Sequence, residues 1–177
     1  MPQNFNLQPQ FVKETPDGDD HERDICSHCG FIDYRNPKIV VGSVLTFSRS
    51  VLLCRRAIEP RSGYWTLPAG YLEIGESVEE GARREAWEEA RVRPSLERVL
   101  AIYSVPRISQ VQIMFRGRVG SAECSPGPES REVDFFDWSD IPWPDLAFPT
   151  VGWALRHFKE SEGASDFAPY SNPVEGL

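Results

Sequence analysis

Residues 70–92 read GYLEIGESVEEGARREAWEEARV, and the second half of this stretch has the pattern of one amphipathic helix. Ser77 is predicted to be the N-cap, and Glu80, three residues later, completes the sequence of a capping box. Small apolar side chains recur every four residues, which favours close packing of this helix against a sheet. These side chains are Ala82, Ala86 and Ala90.

Three glutamates share another face of the same helix. Glu85, Glu88 and Glu89 have the spacings i, i+3 and i+4, which bring their carboxylates together. The like-charged pair Glu85 and Glu89 destabilises an isolated helix by roughly 0.2–0.5 kcal/mol, and a bound divalent cation would reverse that effect. Carboxylate oxygens are ligands that suit Mg²⁺ or Mn²⁺. Taken alone, the pattern is also that of a solvated acidic surface with Arg83 and Arg84 as partners.

The longer spacing resembles the Nudix box, G-x(5)-E-x(7)-R-E-U-x-E-E-x-G-U, in which U is an aliphatic residue. Arg91 stands where the family usually has glycine, and a left-handed backbone there would cost an arginine about 1 kcal/mol. The wider resemblance covers about residues 36–155 and implies the α/β class, as an α/β/α sandwich with a mixed sheet. The matching positions are Gly70, Glu76, Arg84, Glu85, Ala86, Glu88, Glu89 and Val92.

The resemblance also implies which groups bind metal and which support them. Arg84 would orient a box carboxylate through a charge-assisted hydrogen bond, and Glu76 is a candidate partner. The implied ion is Mg²⁺ or Mn²⁺. The metal shell would consist of the carboxylates of Glu85, Glu88 and Glu89 and the main-chain carbonyl of Gly70.

Two further site residues come from loops and strand ends. Arg56 is the arginine that the resemblance selects to meet a substrate phosphate, although an ordinary surface arginine is an equal alternative. In Nudix proteins, a glutamate in the loop after the strand predicted at 110–119, or at the start of the next strand, sometimes supplies the base or an extra metal ligand. Glu132 is preferred for this role over Glu129, and either one can also be a surface carboxylate.

Short β-branched and apolar runs predict the remaining elements. The run at 38–47 and the run at 51–56 are joined by a short polar turn, which predicts a hairpin. Cys54 is predicted to be a small core residue. Further strands are predicted at 96–104, 110–119 and 132–138, and a last helix at about 149–159.

The chain is predicted to divide into an arm at 1–35, a Nudix domain at 36–160 and a disordered tail at 161–177, which is rich in Gly, Ser and Pro. The arm contains Cys26-Ser27-His28-Cys29-Gly30, which resembles one knuckle of a zinc ribbon. A structural zinc site takes four ligands, and residues 1–25 contain no cysteine. Zn²⁺ at Cys26 and Cys29 is therefore not expected.

The composition limits the partners. The 177 residues carry a formal net charge of −8 at pH 7, so neither nucleic acid nor a membrane surface is expected to bind. A phosphate substrate would need a metal ion to offset the repulsion. The sequence has no long apolar run and no signal-peptide pattern, so we expect a cytoplasmic protein.

The resemblance implies metal-dependent hydrolysis of a pyrophosphate bond in a nucleoside diphosphate joined to another moiety. ADP-ribose, FAD and NADH are the expected substrates in that order, because the SQPWPFPxS motif of NADH-specific relatives is absent. Hydrolysis of nucleoside triphosphates and nucleotide sensing without catalysis are the alternatives. A homodimer is also implied, because members of this branch often complete the substrate pocket with a partner subunit.

Overall fold

The computed structural model describes residues 8–174, and these fall into two compact units whose boundary lies between Asn36 and Pro37. The first unit contains a three-stranded antiparallel sheet with the order β1-β2-β3. Within 8–174, no helix has the length and apolar character needed to cross a membrane. The strands of this first sheet are β1 (Phe11–Glu14), β2 (Arg23–Cys26) and β3 (Ile32–Asp33).

The second unit is built on a mixed sheet with the order β10-β5-β4-β9-β8, to which β6 and β7 add through β5 and β4. Only β4 and β9 pair in parallel, and the other pairs in this sheet are antiparallel. The strands are β4 (Lys38–Phe47), β5 (Ser50–Arg56), β6 (Trp65–Thr66), β7 (Ala69–Tyr71), β8 (Ser95–Val105), β9 (Gln110–Arg118) and β10 (Ser130–Phe136).

Two helices cover opposite faces of this sheet, which confirms the predicted sandwich. The helix α1 (Val78–Ala90) packs its alanine stripe against the side chains of β4 that include Val41 and Leu45. The helix α2 (Pro149–Glu160) packs against Val44, whose side chain points the other way. The alternation of side chains along a strand therefore divides the core into an α1 side and an α2 side.

The ends of α1 are the ones that the sequence predicts. The Ser77 hydroxyl accepts a hydrogen bond from the Glu80 N–H (3.2 Å), and the Glu80 carboxylate accepts one from the Ser77 N–H (2.8 Å). At the other end, Arg91 is left-handed with φ 57° and ψ 27°. Its guanidinium lies 5.5 Å from the centre of the Trp87 ring, a stacking contact that offsets part of the backbone strain.

The segment after α2 corrects one prediction. Residues 161–177 were expected to be disordered, but within their described part the segment at Tyr170 and Asn172 pairs with the outer edge of β8. The main-chain N–H of Tyr170 donates to the Leu100 carbonyl, and the main-chain carbonyl of Tyr170 accepts from the Ile102 N–H, both at 2.9 Å. The physical reason is that an edge strand exposes unpaired N–H and C=O groups, which a following segment can cover. Residues 175–177 lie outside the described part.

Candidate active site

Gly70 allows the two central elements of the site to meet. It lies in β7, opposite Val41 of β4, and the carboxylate of Glu85 in α1 packs directly against it. A Cβ atom at this position would overlap the Glu85 carboxylate. Only glycine therefore allows the main chain and the carboxylate to approach so closely. The Gly70 carbonyl is part of the stretch of main chain that the Glu85 carboxylate contacts.

Glu85 and Glu89 are buried, with 8% and 5% of their surface exposed. The Glu89 carboxylate accepts one main-chain hydrogen bond, from the Ala69 N–H at 3.3 Å. Burial, with a contribution from the charge of Glu85, raises the pKa of Glu89 to about 8. Burial also raises the pKa of Glu85, although the Arg84 guanidinium acts in the opposite direction. The protein therefore buries two neighbouring carboxylates, of which only Glu85 bonds to a guanidinium, and a divalent cation fits that donor set.

Arg84 connects three acidic side chains to one another. Its Nη1 atom donates to Glu85 (2.6 Å) and to Glu88 (2.9 Å), and its Nε atom donates to Glu76 (2.9 Å). Its Nη2 atom donates to the carbonyl of Tyr71 (2.9 Å). Burial opposes the charge, yet the bonds to Glu76 and Glu85 raise the pKa of the guanidinium further above its usual range. Arg84 thus fixes the directions in which the box carboxylates point.

Glu88 lies at the rim of this cluster rather than in it. Its side chain is 53% exposed, whereas that of Glu85 is 10% exposed. The structure consequently brings together a buried pair and one solvent-facing carboxylate on the same helix. That combination leaves an open side from which a phosphate group could reach the three glutamates.

The predicted phosphate-binding arginine and the predicted base lie on opposite sides of the sheet. Arg56 alternates with Cys54, which packs against α1, so Arg56 projects on the α1 side. Glu132 pairs across the strands with Arg55, and their side chains form an exposed ion pair at 3.2 Å. Arg55 alternates with Leu53, which packs on the α2 side. The structure therefore does not bring Glu132 to the carboxylates of α1.

The loop before β10 instead brings Glu129 near them. The carbonyl of Glu129 accepts a hydrogen bond from the N–H of Ala57, the residue after Arg56, at 2.8 Å. The negative charge of Glu129 contributes to the raised pKa values of both Glu85 and Glu89. Glu129, which the sequence ranked second, thus faces the α1 side beside Arg56.

The same loop is anchored on the end of α1. Ser125 donates to the carbonyl of Ala90 and Gly127 donates to the carbonyl of Glu89, both at 3.1 Å. These carbonyls lack partners within the helix, because the last turn of a helix leaves its acceptors free. A Cβ atom at Gly127 would overlap the carbonyl of Glu88, so only glycine allows this contact. Gly127 is the sequence signal that could have indicated where the loop docks.

The cysteine knuckle in the first unit brings two potential metal ligands together, Cys26 and Cys29. Main-chain N–H groups of His28 and Cys29 lower the pKa of the Cys26 thiol. Ser27 donates to the carbonyl of Gln10 (2.9 Å), so the start of β1 lies beside the knuckle. Residues 8–10, Gln-Pro-Gln, offer neither a thiol nor an imidazole there. His21 instead groups with the half-buried Asp19 and the exposed Asp20.

Replacing Gly70 tests the approach of β7 to α1. We expect Gly70→Ala to lower turnover by roughly tenfold or more, because the added methyl group displaces the Glu85 carboxylate. Gly120→Ala is the matched control, since a Cβ atom at Gly120 meets no other atom within 4 Å. Steady-state kinetics with a fixed divalent cation measures the difference. Equal turnover in the two variants would contradict the assigned role of Gly70.

The raised pKa of Glu89 gives a stability prediction with a definite sign. The folded protein binds a proton at Glu89 up to pH of about 8, whereas the unfolded chain releases it near pH 4.5. The free energy of unfolding of the metal-free protein therefore falls as pH rises through this interval, by roughly 1.4 kcal/mol for each unit of pKa shift at most.

Glu89→Gln removes this titration, so its stability relative to the unchanged protein should rise between about pH 5 and about pH 9. Urea unfolding at both pH values in the presence of a chelator measures the change. The exposed carboxylate of Glu79 on the same helix provides the control Glu79→Gln. A gain that is the same at both pH values would show that burial of charge at Glu89 is not its cause.

Comparison with known proteins identifies the family. The NUDIX domain model matches residues 36–157, and the model of the Nudix N-terminal zinc ribbon matches residues 9–35. An ADP-ribose pyrophosphatase from Methanocaldococcus jannaschii is 34% identical over 119 residues, which are 65% of this chain and 69% of that protein. The NAD-capped RNA hydrolase NudC of Salmonella typhi is 28% identical over 149 residues, which are 82% of this chain.

The chain spans about half of the length of NudC, since the match covers 55% of that protein. A NUDIX hydrolase from Nitrosomonas europaea has a solved structure that matches with a TM-score of 0.87 and 39% identity. That match covers 94% of this chain and 95% of the other. Nudix hydrolases depend on divalent metal ions, in agreement with the buried carboxylate pair, and the chain belongs to the Nudix hydrolase family.

Proposed function

We propose that this protein hydrolyses the pyrophosphate bond of a nucleoside diphosphate linked to a sugar or to a second nucleoside, with ADP-ribose as the preferred substrate. The observation that carries the proposal is the buried pair in which Glu85 packs against Gly70 and Glu89 accepts a hydrogen bond from the Ala69 N–H. The similarity to an ADP-ribose pyrophosphatase supports the choice of substrate. FAD and then NADH follow in order of preference.

Mg²⁺ or Mn²⁺ is the proposed ion, because the donors are hard oxygen atoms. Glu85, Glu88, Glu89 and the carbonyl of Gly70 would hold it. When bound, the ion stabilises the negative charge that develops at the attacked phosphate and offsets the net charge of −8. A buried carboxylate with a raised pKa binds such an ion in its ionised form, so the cation replaces the proton.

Arg84 and Arg56 have different proposed roles. Each of the three guanidinium nitrogens of Arg84 donates to a protein acceptor, so Arg84 is a positioning residue for Glu85 and Glu88. Arg56 donates through Nε to the carbonyl of Pro60 at 2.8 Å, and within residues 8–174 its terminal nitrogens have no hydrogen-bond acceptor. A guanidinium whose two terminal nitrogens lack acceptors can donate to two phosphate oxygens at once. The ring of Phe148, 5.3 Å away, supports the same guanidinium.

Glu129 is the proposed general base. It faces the α1 side next to Arg56, and its loop is fastened to the end of α1 by Ser125 and Gly127. A carboxylate in this position can take a proton from the water that attacks phosphorus, since it is separate from the carboxylates that hold the ion. Glu132 is not proposed for this role, because its ion pair with Arg55 lies on the other side of the sheet.

The same mechanism would serve a second candidate substrate, the NAD-capped end of RNA. The similarity to NudC and the match of the N-terminal ribbon model at residues 9–35 favour it. The composition argues against binding of RNA beyond its cap, because the net charge is −8. Hydrolysis of nucleoside triphosphates remains an alternative substrate class, as does nucleotide sensing without catalysis.

Three further proposals follow from the sequence. A homodimer would supply part of the substrate pocket, which light scattering at micromolar concentration can test. Zinc would not be retained by the first unit alone, because its described residues place two thiols and no further cysteine at the knuckle. A cytoplasmic location would agree with four cysteines that are free in the structure.

Glutamine variants test the proposed base. We expect Glu129→Gln to lower kcat by roughly a hundredfold, because a positioned base contributes about 10²–10⁴ in rate. Glu132→Gln, which changes the other candidate by the same atoms, should lower kcat by less than about threefold. Binding of Mn²⁺, followed by its paramagnetic relaxation of water, should be nearly unchanged in both variants. The reverse order of the two kcat values would restore Glu132 as the base.

A substrate panel tests the reaction itself. ADP-ribose, FAD, NADH, NAD-capped RNA and the deoxynucleoside triphosphates are incubated with Mg²⁺ or Mn²⁺, and the products are identified by mass. We expect ADP-ribose to give AMP and ribose 5-phosphate with the highest kcat/KM. Glu88→Gln and Glu89→Gln should each lower that value by roughly a hundredfold while the fold survives. Full activity in both variants would exclude the proposed metal site.

A further inference from the structure

We propose that a cavity on the α2 side of the sheet binds a phosphorylated small molecule through its phosphomonoester group. The cavity has a volume of about 570 Å³ and lies between the end of the sheet and the end of α2. Its walls are the turn between β4 and β5, the start of β8, the end of β9 and residues 162–165. This volume is in the range of small-molecule sites, about 300–1,000 Å³.

The cavity is separate from the candidate active site. Arg116 and Arg118 alternate with Phe115, whose side chain belongs to the core beneath α1. Arg116 donates to the carbonyls of Ser161 and Ala164, which follow α2. Both arginines therefore project on the α2 side, and the sheet lies between them and Glu85.

The charge of the lining is opposite to that of the whole chain. Four arginines and two glutamates line the cavity, whereas the protein has a net charge of −8. Glu162 is already paired with Lys159 at 2.7 Å. An excess of guanidinium groups in one concave place attracts anions and raises their local concentration. The charged lining residues are Arg49, Arg98, Arg116, Arg118, Glu97 and Glu162.

Arg116 forms part of the cavity wall, and each of its three guanidinium nitrogens already donates to a protein acceptor. Arg116 donates through Nε to Glu97 (2.7 Å), and its two terminal nitrogens donate to the carbonyls of Ser161 (2.8 Å) and Ala164 (3.1 Å). Its side chain is only 12% exposed. This arginine connects β9 to the segment after α2 and thereby fixes the position of the cavity wall.

The other three arginines keep donors for a ligand. Arg118 is 73% exposed and uses Nε for Glu97 (2.6 Å), and within residues 8–174 its terminal nitrogens have no hydrogen-bond acceptor. The guanidinium of Arg49 makes neither a hydrogen bond nor an ion pair with any of the residues 8–174. Arg98 pairs with Asp166 at 2.7 Å, but that aspartate is 92% exposed and a stronger anion can displace it.

The turn that carries Arg49 is conformationally constrained. Ser48 also lines the cavity, and it is left-handed with φ 55°, a conformation that is uncommon for residues other than glycine. Non-glycine residues in this region persist where the surrounding structure holds them. Ser48 and Arg49 form the two-residue turn of the β4–β5 hairpin, in which left-handed residues are common, so the hairpin fixes the main chain that carries Arg49.

The chemistry of the donors selects the class of ligand. Guanidinium groups bind phosphate oxygens in pairs, and a phosphomonoester offers three terminal oxygens and close to two negative charges. The cavity is larger than inorganic phosphate, and the ring of Phe158 gives it one apolar wall. A sugar phosphate or a nucleoside monophosphate would therefore fit better than phosphate alone.

The experiment uses the full-length, ¹⁵N-labelled protein with a chelator present, so that no divalent ion binds phosphate at α1. AMP and ribose 5-phosphate are titrated, together with inorganic phosphate, and adenosine and ribose are the probes without phosphate. We expect the backbone signals of Ser48, Arg49 and Gly163 to shift with AMP or ribose 5-phosphate. The ester that binds more tightly identifies the source as nucleotide or sugar.

Arg49→Gln and Arg118→Gln should each weaken this binding by about tenfold, because each removes a charge-assisted hydrogen bond. Arg107→Gln is the matched control, since Arg107 is exposed and lies outside the cavity. The hydrolytic activity of all three variants should be unchanged, which separates this proposal from the proposed function. Shifts confined to residues 57–63 and 125–129, equal affinity in the three variants, or equally tight binding of adenosine would overturn it.

Discussion

The burial of Glu85 and Glu89 is the constraint on which the rest of the site depends. Two carboxylates in an apolar setting destabilise the fold unless something compensates their charge, and Arg84 bonds directly to only one of them. The deficit that remains is the chemical basis of the proposed cation site. The glycine in β7 belongs to the same constraint, because it lets the Glu85 carboxylate reach the main chain. Removal of either feature would leave an ordinary acidic helix.

Long periodic patterns made the fold predictable from the sequence. The alanine stripe and capping box of α1 are local signals, and the structure confirms the predicted N-cap. The left-handed conformation of Arg91 was left open by the sequence and is shown by the structure. The alternation of side chains predicted individual strands, whereas the mixed sheet was inferred from the order of strands and helices and from the family resemblance. These signals succeed because each depends on residues that are close in sequence, so that a period of 3.6 or 2 can be read without tertiary information.

The choice between Glu129 and Glu132 could not be made from the sequence. The pairing of β10 with β5 is irregular between Ser130 and Glu132, and a one-residue change of register moves a side chain to the other face of the sheet. The docking of residues 125–127 on α1 is likewise a contact between distant segments. Low-complexity composition misled the prediction of the tail for the same reason, since the free edge of β8 is a tertiary feature.

The placement of charge on the two faces of the sheet follows from the same constraint. Arginines as numerous as those near Arg118 would neutralise Glu85 and Glu89 if they lay beside α1, and the cation would then have no charge deficit to fill. The two groups lie instead on opposite sides of a packed apolar layer. The sheet thus keeps an acidic site and a basic cavity in one small protein without either one cancelling the other.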